Sequence, residues 1–509
     1  MKREEREAID LLLASPEKLL FKKPFIRGSS KPPEKGCDVA DLSETVKVEL
    51  PEHIGVIVPQ SQFLKELDPS SHQVLFDKNI PVITAKADNG QYVVMEDKRM
   101  ALPYQKNIKN KHVLHLCGNP MSFSMNKDAT DDEKNWFSVF KTYWKQRNMD
   151  GWRTKMVDAQ KSMGDAALLF YIDKRGEINA RLLCYKEGYV IVSHNDKNGD
   201  RILDVIYYTG DDNAEKMDCY DDEYHYLYEK PMNGEAKGEW VMVSKSKHGF
   251  PESPLITHRG SVAWDDVQTL IDVIEIIFNI FMVIQKRHGW GMLYIKGNIS
   301  DTVKKLNGAI ILEDKSTTTE NGKKAEYLTL PSPQGMIETM EKLEEAIMKG
   351  AGYTSILPKD IKTGGDVSGV VIQLVQSLDL ETALMGCIEW QNVASKMTRL
   401  FKYGLGMELT NNPDYTNAIT SLKNLNITAA FKAWKPRSEI EYNNMLIALE
   451  GAGLISTITG IEKNTESEPD EELRVAKQVE EEAAAAKELA EVTAKATATS
   501  TAGQQAAKE

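Results

Sequence analysis

The period of the hydrophobic pattern changes several times along the chain, and each change marks an element boundary. Between about residues 104 and 163, Trp136, Phe140 and Trp144 recur four apart, and Trp152, Met156 and Ala159 repeat the spacing. That period predicts helices with one aromatic face. The next stretch, ALLFYIDKRGEINARLLCYKEGYVIVSHNDKNGDRILDVIYYTG, breaks into short apolar runs separated by DKRG and NDKNGD. These are hairpin signals, and HYLYEK and GEWVMVSKSKHG carry the pattern to about residue 250, so a small antiparallel sheet or barrel is expected.

Helical spacing returns in SVAWDDVQTLIDVIEIIFNIFMVIQKRHG, which stops at Gly289 and Gly291. A short α/β insert of about 45 residues follows, and a second helix, SPQGMIETMEKLEEAIMKGAG, has a Ser-Pro start and a Gly-x-Gly stop. Helix, insert and helix together predict a two-legged shape holding something at its tip. A long helix is expected from about Val367 to Leu405, with Leu374, Leu378, Met385 and Ile388 as its apolar face and Trp390 beside it. The region from FKAWKPRSEIEYNN to AAAAKELAEV reads as helical again. Residues 1–60 read as a partly disordered arm and residues 486–509 as a low-complexity, disordered tail. The fold class is α+β, mainly helical.

The 509 residues carry a formal charge of −13 with 41% hydrophobic positions, enough for a real core. An acidic balance argues against an ordinary DNA-binding domain, whose affinity comes from Lys and Arg on phosphates. The most apolar run, from Val267, is interrupted by Asp272 and Glu275 and falls short of the ~20 uninterrupted apolar residues of a membrane span. It reads as a buried or inter-subunit helix, with no membrane partner. Five scattered cysteines, Cys37, Cys117, Cys184, Cys219 and Cys387, have no paired spacing, so no disulfide framework is expected.

ILPKDIKTGGDVSGVVIQLVQS, residues 356–377, sets glycines before a helix. It fails as a phosphate-binding loop because Gly364 and Gly365 are followed by Asp366 rather than Lys-Ser/Thr. Asp366 and Ser368 suit helix capping instead. KHVLHLCGNP gathers His112, His115 and Cys117, but on a strand, which its flanking Val and Leu favour, residues three apart face opposite ways and cannot share one ion. Asp211, Asp212, Asp221, Asp222 and Glu223 lack the spacing of a calcium loop and read as a solvated hairpin tip. The common hydrolase, metalloprotease, kinase and dinucleotide motifs do not occur, so no metal, no cofactor and no enzymatic activity are expected.

The order of parts resembles the portal proteins of tailed bacteriophages, in the branch typical of siphophages. The pieces that carry it are GDAALLFYIDKRG at a helix–sheet junction, the helix–insert–helix unit and a flexible loop leading into DVSGVVIQLVQS with Ser368 and Gly369. The last is a C-terminal turn with Gly453, Ile455, Ser456 and Thr459, followed by an acidic helix with Glu472 and Arg474. The resemblance spans roughly residues 100–485 and implies a ring, usually of about twelve copies, at one capsid vertex.

DNA is packaged and ejected through such rings. The resemblance assigns residues 61–263 to a wing, 264–289 and 334–354 to stem helices, 290–333 to a clip and 355–367 to a tunnel loop. It assigns 368–433 to a long wing helix and β segment and 434–485 to crown helices. It implies that Lys359, Lys362, Thr363, Gly364 and Gly365 face double-stranded DNA without reading its sequence. Lys304, Lys305, Lys323 and Lys324 would meet partners, namely the terminase large subunit and later the head-tail adaptor, while capsid and scaffold proteins surround the ring. Ile276, Ile277, Phe278, Phe281 and Met282 would form ring contacts in the stem. The implied location is the virion, with assembly in the host cytoplasm. The alternative is another helical virion assembly or adaptor protein, which a closed ring with a central hole would separate from a portal.

Overall fold

The computed structural model describes residues 9–10, 13–14, 60–77, 83–86, 92–95, 98–126, 129–195, 201–231, 238–288, 292–296, 310–314, 324–328, 334–354, 377–410, 412, 415, 417–434, 439–455, 457 and 460–461. The chain divides into two compact units, residues 1–361 with 376–434, and residues 362–375 with 435–509.

The first unit opens with α1 (Gln60–Leu67), two short 3-10 turns, the hairpin β1 (Ile83–Lys86) and β2 (Tyr92–Met95), and α2 (Tyr104–Cys117). The chain continues through β3 (Ser122–Met125), α3 (Asp131–Gln146) and α4 (Met149–Met163). Thr130 and Glu133 close a capping box on α3, each side chain bonding the other's backbone amide. Phe140 and Trp144 are buried as their four-residue spacing predicts, Trp136 lies partly buried at the edge, and Met156 and Ala159 continue the face on α4.

KHVLHLC belongs to helix α2, not to a strand. Its β-prone residues yield to helical packing against α4 and against the later helix Ser377–Glu389.

The β-block holds two antiparallel sheets. Strands β4 (Asp165–Ile172) and β5 (Ile178–Leu183) form a hairpin across the DKRG turn, and β11 (Leu255–Arg259) adds to the outer edge of β4. Between them runs a five-stranded meander of β6 (Val190–Asn195), β7 (Arg201–Thr209), β8 (Glu215–Tyr220), β9 (Tyr224–Lys230) and β10 (Val241–Lys247). The expected antiparallel sheet is therefore present as a pair. Asp204, fully buried between them, accepts from Ser193 and Ser253 hydroxyls at 2.8 and 3.0 Å and from Arg201 Nε at 2.9 Å. Those partners satisfy a carboxylate that would otherwise be costly to bury.

The acidic cluster divides. Asp212 is an exposed tip residue paired with Lys216, as expected. Asp221 is buried, which the reading as a solvated tip missed: it accepts the Glu223 and Tyr224 amides and the Tyr226 hydroxyl and so builds the β8–β9 turn.

The helix–insert–helix unit consists of α5 (Gln268–His288), the sheet of β12 (Met292–Lys296), β13 (Ile310–Asp314) and β14 (Lys324–Leu328), and α6 (Gln334–Gly350). β12 is central, parallel to β13 and antiparallel to β14. Gly352 at φ +79° ends α6, with Gly352 N–H on the Lys349 carbonyl and Tyr353 N–H on the Met348 carbonyl. This paired pattern needs a left-handed residue, which explains the Gly-x-Gly stop.

After Thr354 the described chain resumes at α7 (Ser377–Glu389), followed by α8 (Gln391–Leu409), α9 (Ala418–Asn424) and β15 (Ile427–Ala430), which pairs with β3. The expected single helix is two helices meeting at Trp390, which is wholly buried. Met385 and Ile388 are 68% and 70% exposed, so they do not form a buried face as expected. The buried side of α7 is instead carried by Asp379 and Ala383, with Trp390 just beyond its end.

Two main cores result. One packs α3, α4 and α8 on the β11–β4–β5 sheet. The other packs Phe63 of α1, the inner face of the five-stranded sheet, α5 and the end of α6, and Ile9 is buried in it. Cys117, Cys184, Cys219 and Cys387 are free thiols.

In the second unit the described helix is α10 (Glu439–Gly451). Gly453 at φ +68° closes it with the same paired pattern that ends α6. Leu446 is buried, whereas Met445, Ile447 and Leu454 are exposed.

Candidate functional site

The helix pair α5 and α6 is built from opposite solutions to burial. α5 carries apolar residues around most of its circumference, and residues 265–285 are long and apolar enough to cross a membrane by length and composition. This exceeds the sequence reading, which took Asp272 and Glu275 as interruptions. Glu275 is in fact only 2% exposed. Its Oε1 accepts from His72 Nδ1 and from the Leu102 amide, both at 2.7 Å. Asn279 binds the amide and the carbonyl of Met100 at 2.9 and 2.7 Å. The polar residues of α5 thus knit it to segments 72–75 and 99–102, as befits a helix rooted in a globular unit.

His72 Nε2 lies 2.8 Å from the Glu66 carbonyl. With an acceptor at each nitrogen, the site favours the doubly protonated ring. Burial opposes the charge, but the Glu275 hydrogen bond and its charge overcome that and raise the His72 pKa.

Farther along α5, the stem residues Ile276, Ile277, Phe278, Phe281 and Met282 are each partly exposed. A row of apolar side chains that stays partly open to water fits a surface that a partner covers. α6 presents a different face: Glu338, Glu341, Glu344 and Glu345 are exposed, against Lys342 and Lys349, while Ile347 is buried. The sequence analysis does not single out these carboxylates, although their three-, four- and seven-residue spacings place them along one side of the helix.

The root of the segment between α6 and α7 is a dense polar cluster. Tyr353, 1% exposed, stacks on His115 at 5.9 Å, meets the edge of His112 at 4.8 Å and lies under Lys111 Nζ at 4.3 Å. Asp379 faces Lys111 Nζ at 3.1 Å. His112 Nε2 lies 3.2 Å from the Ala351 carbonyl and His115 Nδ1 3.4 Å from the Trp434 carbonyl. The two histidines do share a helix, yet each directs a ring nitrogen to a backbone carbonyl, and no metal-binding group of three or more ligands occurs among the described residues. Burial, with help from the Lys161 charge, pushes the His112 pKa down to about 3. Burial also lowers His115, against the pull of Asp379. Both rings are therefore neutral at pH 7.

Lys359, Lys362, Thr363, Gly364 and Gly365 lie outside the described residues, as do Lys304, Lys305 and Lys323. Lys324 opens β14. Asp379, Lys111 and Tyr353 were not singled out by sequence, because nothing local signals a contact among α2, the end of α6 and the start of α7.

A mixed α+β chain whose helix pair carries a small sheet, with half-exposed apolar residues on one helix and carboxylates on the other, has the attributes of an assembling structural protein. Residues 78–488 match the family model described as phage portal protein, SPP1 Gp6-like. The chain belongs to that family. Among solved structures, a chain from one described as the neck of an empty GTA particle computed with C6 symmetry is similar at 10% identity and a TM-score of 0.37. That match covers 70% of this chain and 89% of the other. No curated protein matches.

Proposed function

We propose that the chain forms the ring channel at a capsid vertex through which double-stranded DNA is packaged and later ejected. Membership of the portal family is the observation that carries this reading. In it, residues 61–263 and 368–433 make the wing, α5 and α6 the stem, 290–333 the clip, 355–367 the tunnel loop and 434–485 the crown.

The acidic face of α6 supports a channel-lining role for that helix. Glu338, Glu341 and Glu344, beside the Glu345–Lys349 pair at 2.6 Å, would give a net negative wall when repeated around a ring, which repels phosphate and keeps the duplex from sticking. Lys359 and Lys362 of the loop would then make the few phosphate contacts, weak, salt-sensitive and blind to sequence. The partly exposed Ile276, Ile277, Phe278, Phe281 and Met282 suit contacts between neighbouring stems. The clip, with Lys304, Lys305, Lys323 and Lys324, would dock the terminase large subunit and afterwards the head-tail adaptor. ATP hydrolysis would come from the terminase.

Negative-stain electron microscopy with mass photometry tests the assembly. Closed rings with a central hole and a mass of about twelve subunits are expected. A stable monomer or an open filament at high concentration would overturn the channel reading.

A further inference from the structure

The buried side of α7 is pinned at both ends. Near its start Asp379, 1% exposed, accepts the Thr354 amide at 2.5 Å and faces Lys111 Nζ at 3.1 Å. Near its end Gly386 lies so close to α2 that a Cβ would come within 2.7 Å of Leu116 Cδ2. The last residue, Glu389, accepts from His258 Nε2 at 3.1 Å and stands 3.6 Å from Lys161 Nζ. Held in this way, the helix keeps its other side facing outward. That side carries Leu384, Met385 and Ile388, which are 52%, 68% and 70% exposed, and Glu381 continues it by one turn. Single exposed apolar residues are ordinary, but three large ones on one face of a fixed helix mark a contact surface.

Two observations select the occupant. The charges that border the stripe, Glu381 and Glu389, are carboxylates, whereas duplex DNA is held by Lys and Arg on its phosphates, so the stripe is not a DNA contact. The chain also has another exposed apolar row, on α5, where Val273 is 44% exposed and Ile276, Ile277 and Phe281 are partly so. Contacts around a ring of more than two copies are head-to-tail, so each subunit presents two unlike faces, one to each neighbour. Two unlike apolar rows on separate elements meet that requirement.

We propose that the α7 stripe is a second ring contact, covered by another copy of this chain. The inference rests on the ring of the channel reading and adds to it a contact outside the stem helices α5 and α6.

The test is assembly by mass photometry, together with oxidation of Met385 by dilute peroxide, read by mass spectrometry. Met385→Glu/Ile388→Glu puts two charges into the contact and is expected to raise the subunit concentration needed for rings by at least about tenfold. Met385→Leu keeps the apolar volume and should assemble like wild type. The substituted side chains lie in water in the free subunit, so its melting temperature should stay within a few degrees of wild type. In wild-type rings Met385 should oxidise several-fold more slowly than in free subunits separated by size exclusion. Rings formed by the charged variant at the wild-type concentration, or Met385 oxidised equally fast in rings and in free subunits, overturn the proposal and leave the stripe to a different protein. If the wild-type chain forms no rings, the channel reading itself fails; if wild-type rings form with Met385 still open to peroxide, only the α7 contact fails.

Discussion

Two buried histidines give the fold opposite pH dependences. His72 lies between Glu275 and the Glu66 carbonyl, and the Glu275 hydrogen bond and charge raise its folded pKa. Its contribution is complete below the unfolded value of about 6.5 and is lost as pH climbs through the folded value. His112 is neutral, with a folded pKa of about 3. Its contribution is complete above about 6.5 and declines as pH falls toward 3. The contribution of these two groups to stability should therefore fall on either side of about pH 6.5, by up to about 1.4 kcal/mol per pH unit for each. His72→Gln should flatten the alkaline limb, and His112→Gln the acid one. Glu275→Ala strips a partner from His72 and from the Leu102 amide, and should cost about 3 kcal/mol in urea unfolding at pH 6.

At the level of elements, termini and exposed faces decide behaviour. The end of α6 requires Gly352 twice over, by its φ of +79° and by the nearness of Thr382. Gly352→Ala should lower unfolding free energy by about 1–3 kcal/mol and loosen the helix end, visible as faster amide exchange at 351–354. The half-exposed apolar row on α5 should behave differently. Ile277→Glu or Phe281→Glu should leave the monomer's melting temperature within a few degrees of wild type while abolishing rings in mass photometry. The burial of Trp390 where α7 meets α8, and the exposure of Met385 and Ile388, follow from α7 packing on α2 and α8 while α8 packs on the sheet. The periodicity alone marked all three as apolar and could not say which would meet a partner.

For the whole molecule, the proposed channel function predicts that assembled rings bind duplex DNA weakly and with a salt-sensitive affinity. Lys359→Ala/Lys362→Ala should reduce the salt slope of ring–DNA binding and slow packaging, without altering ring yield. Reversing the α6 face, with Glu338→Lys and Glu341→Lys together, should make DNA adhere to the ring and stall packaging. Normal packaging by that variant would mean the face does not line the channel.

Elements with a strong local pattern were legible in the residues: the aromatic face through Phe140 and Trp144, the hairpin punctuation of DKRG and the glycine stop of α6. These depend on spacing of a few residues, which the backbone period converts directly into a face. The order of those elements also carried the family resemblance that the match over residues 78–488 bears out. Tertiary structure alone decided the rest. KHVLHLC became helix because α2 packs between α4 and α7, and Asp221 became a buried turn-builder while Asp212 stayed in water. Glu275 changed from an interruption to an anchor, and Asp379 joined Thr354 to Lys111 across long sequence separations. Each of these outcomes depends on which partner arrives from elsewhere in the chain, and a buried charge is stable only where that partner stands.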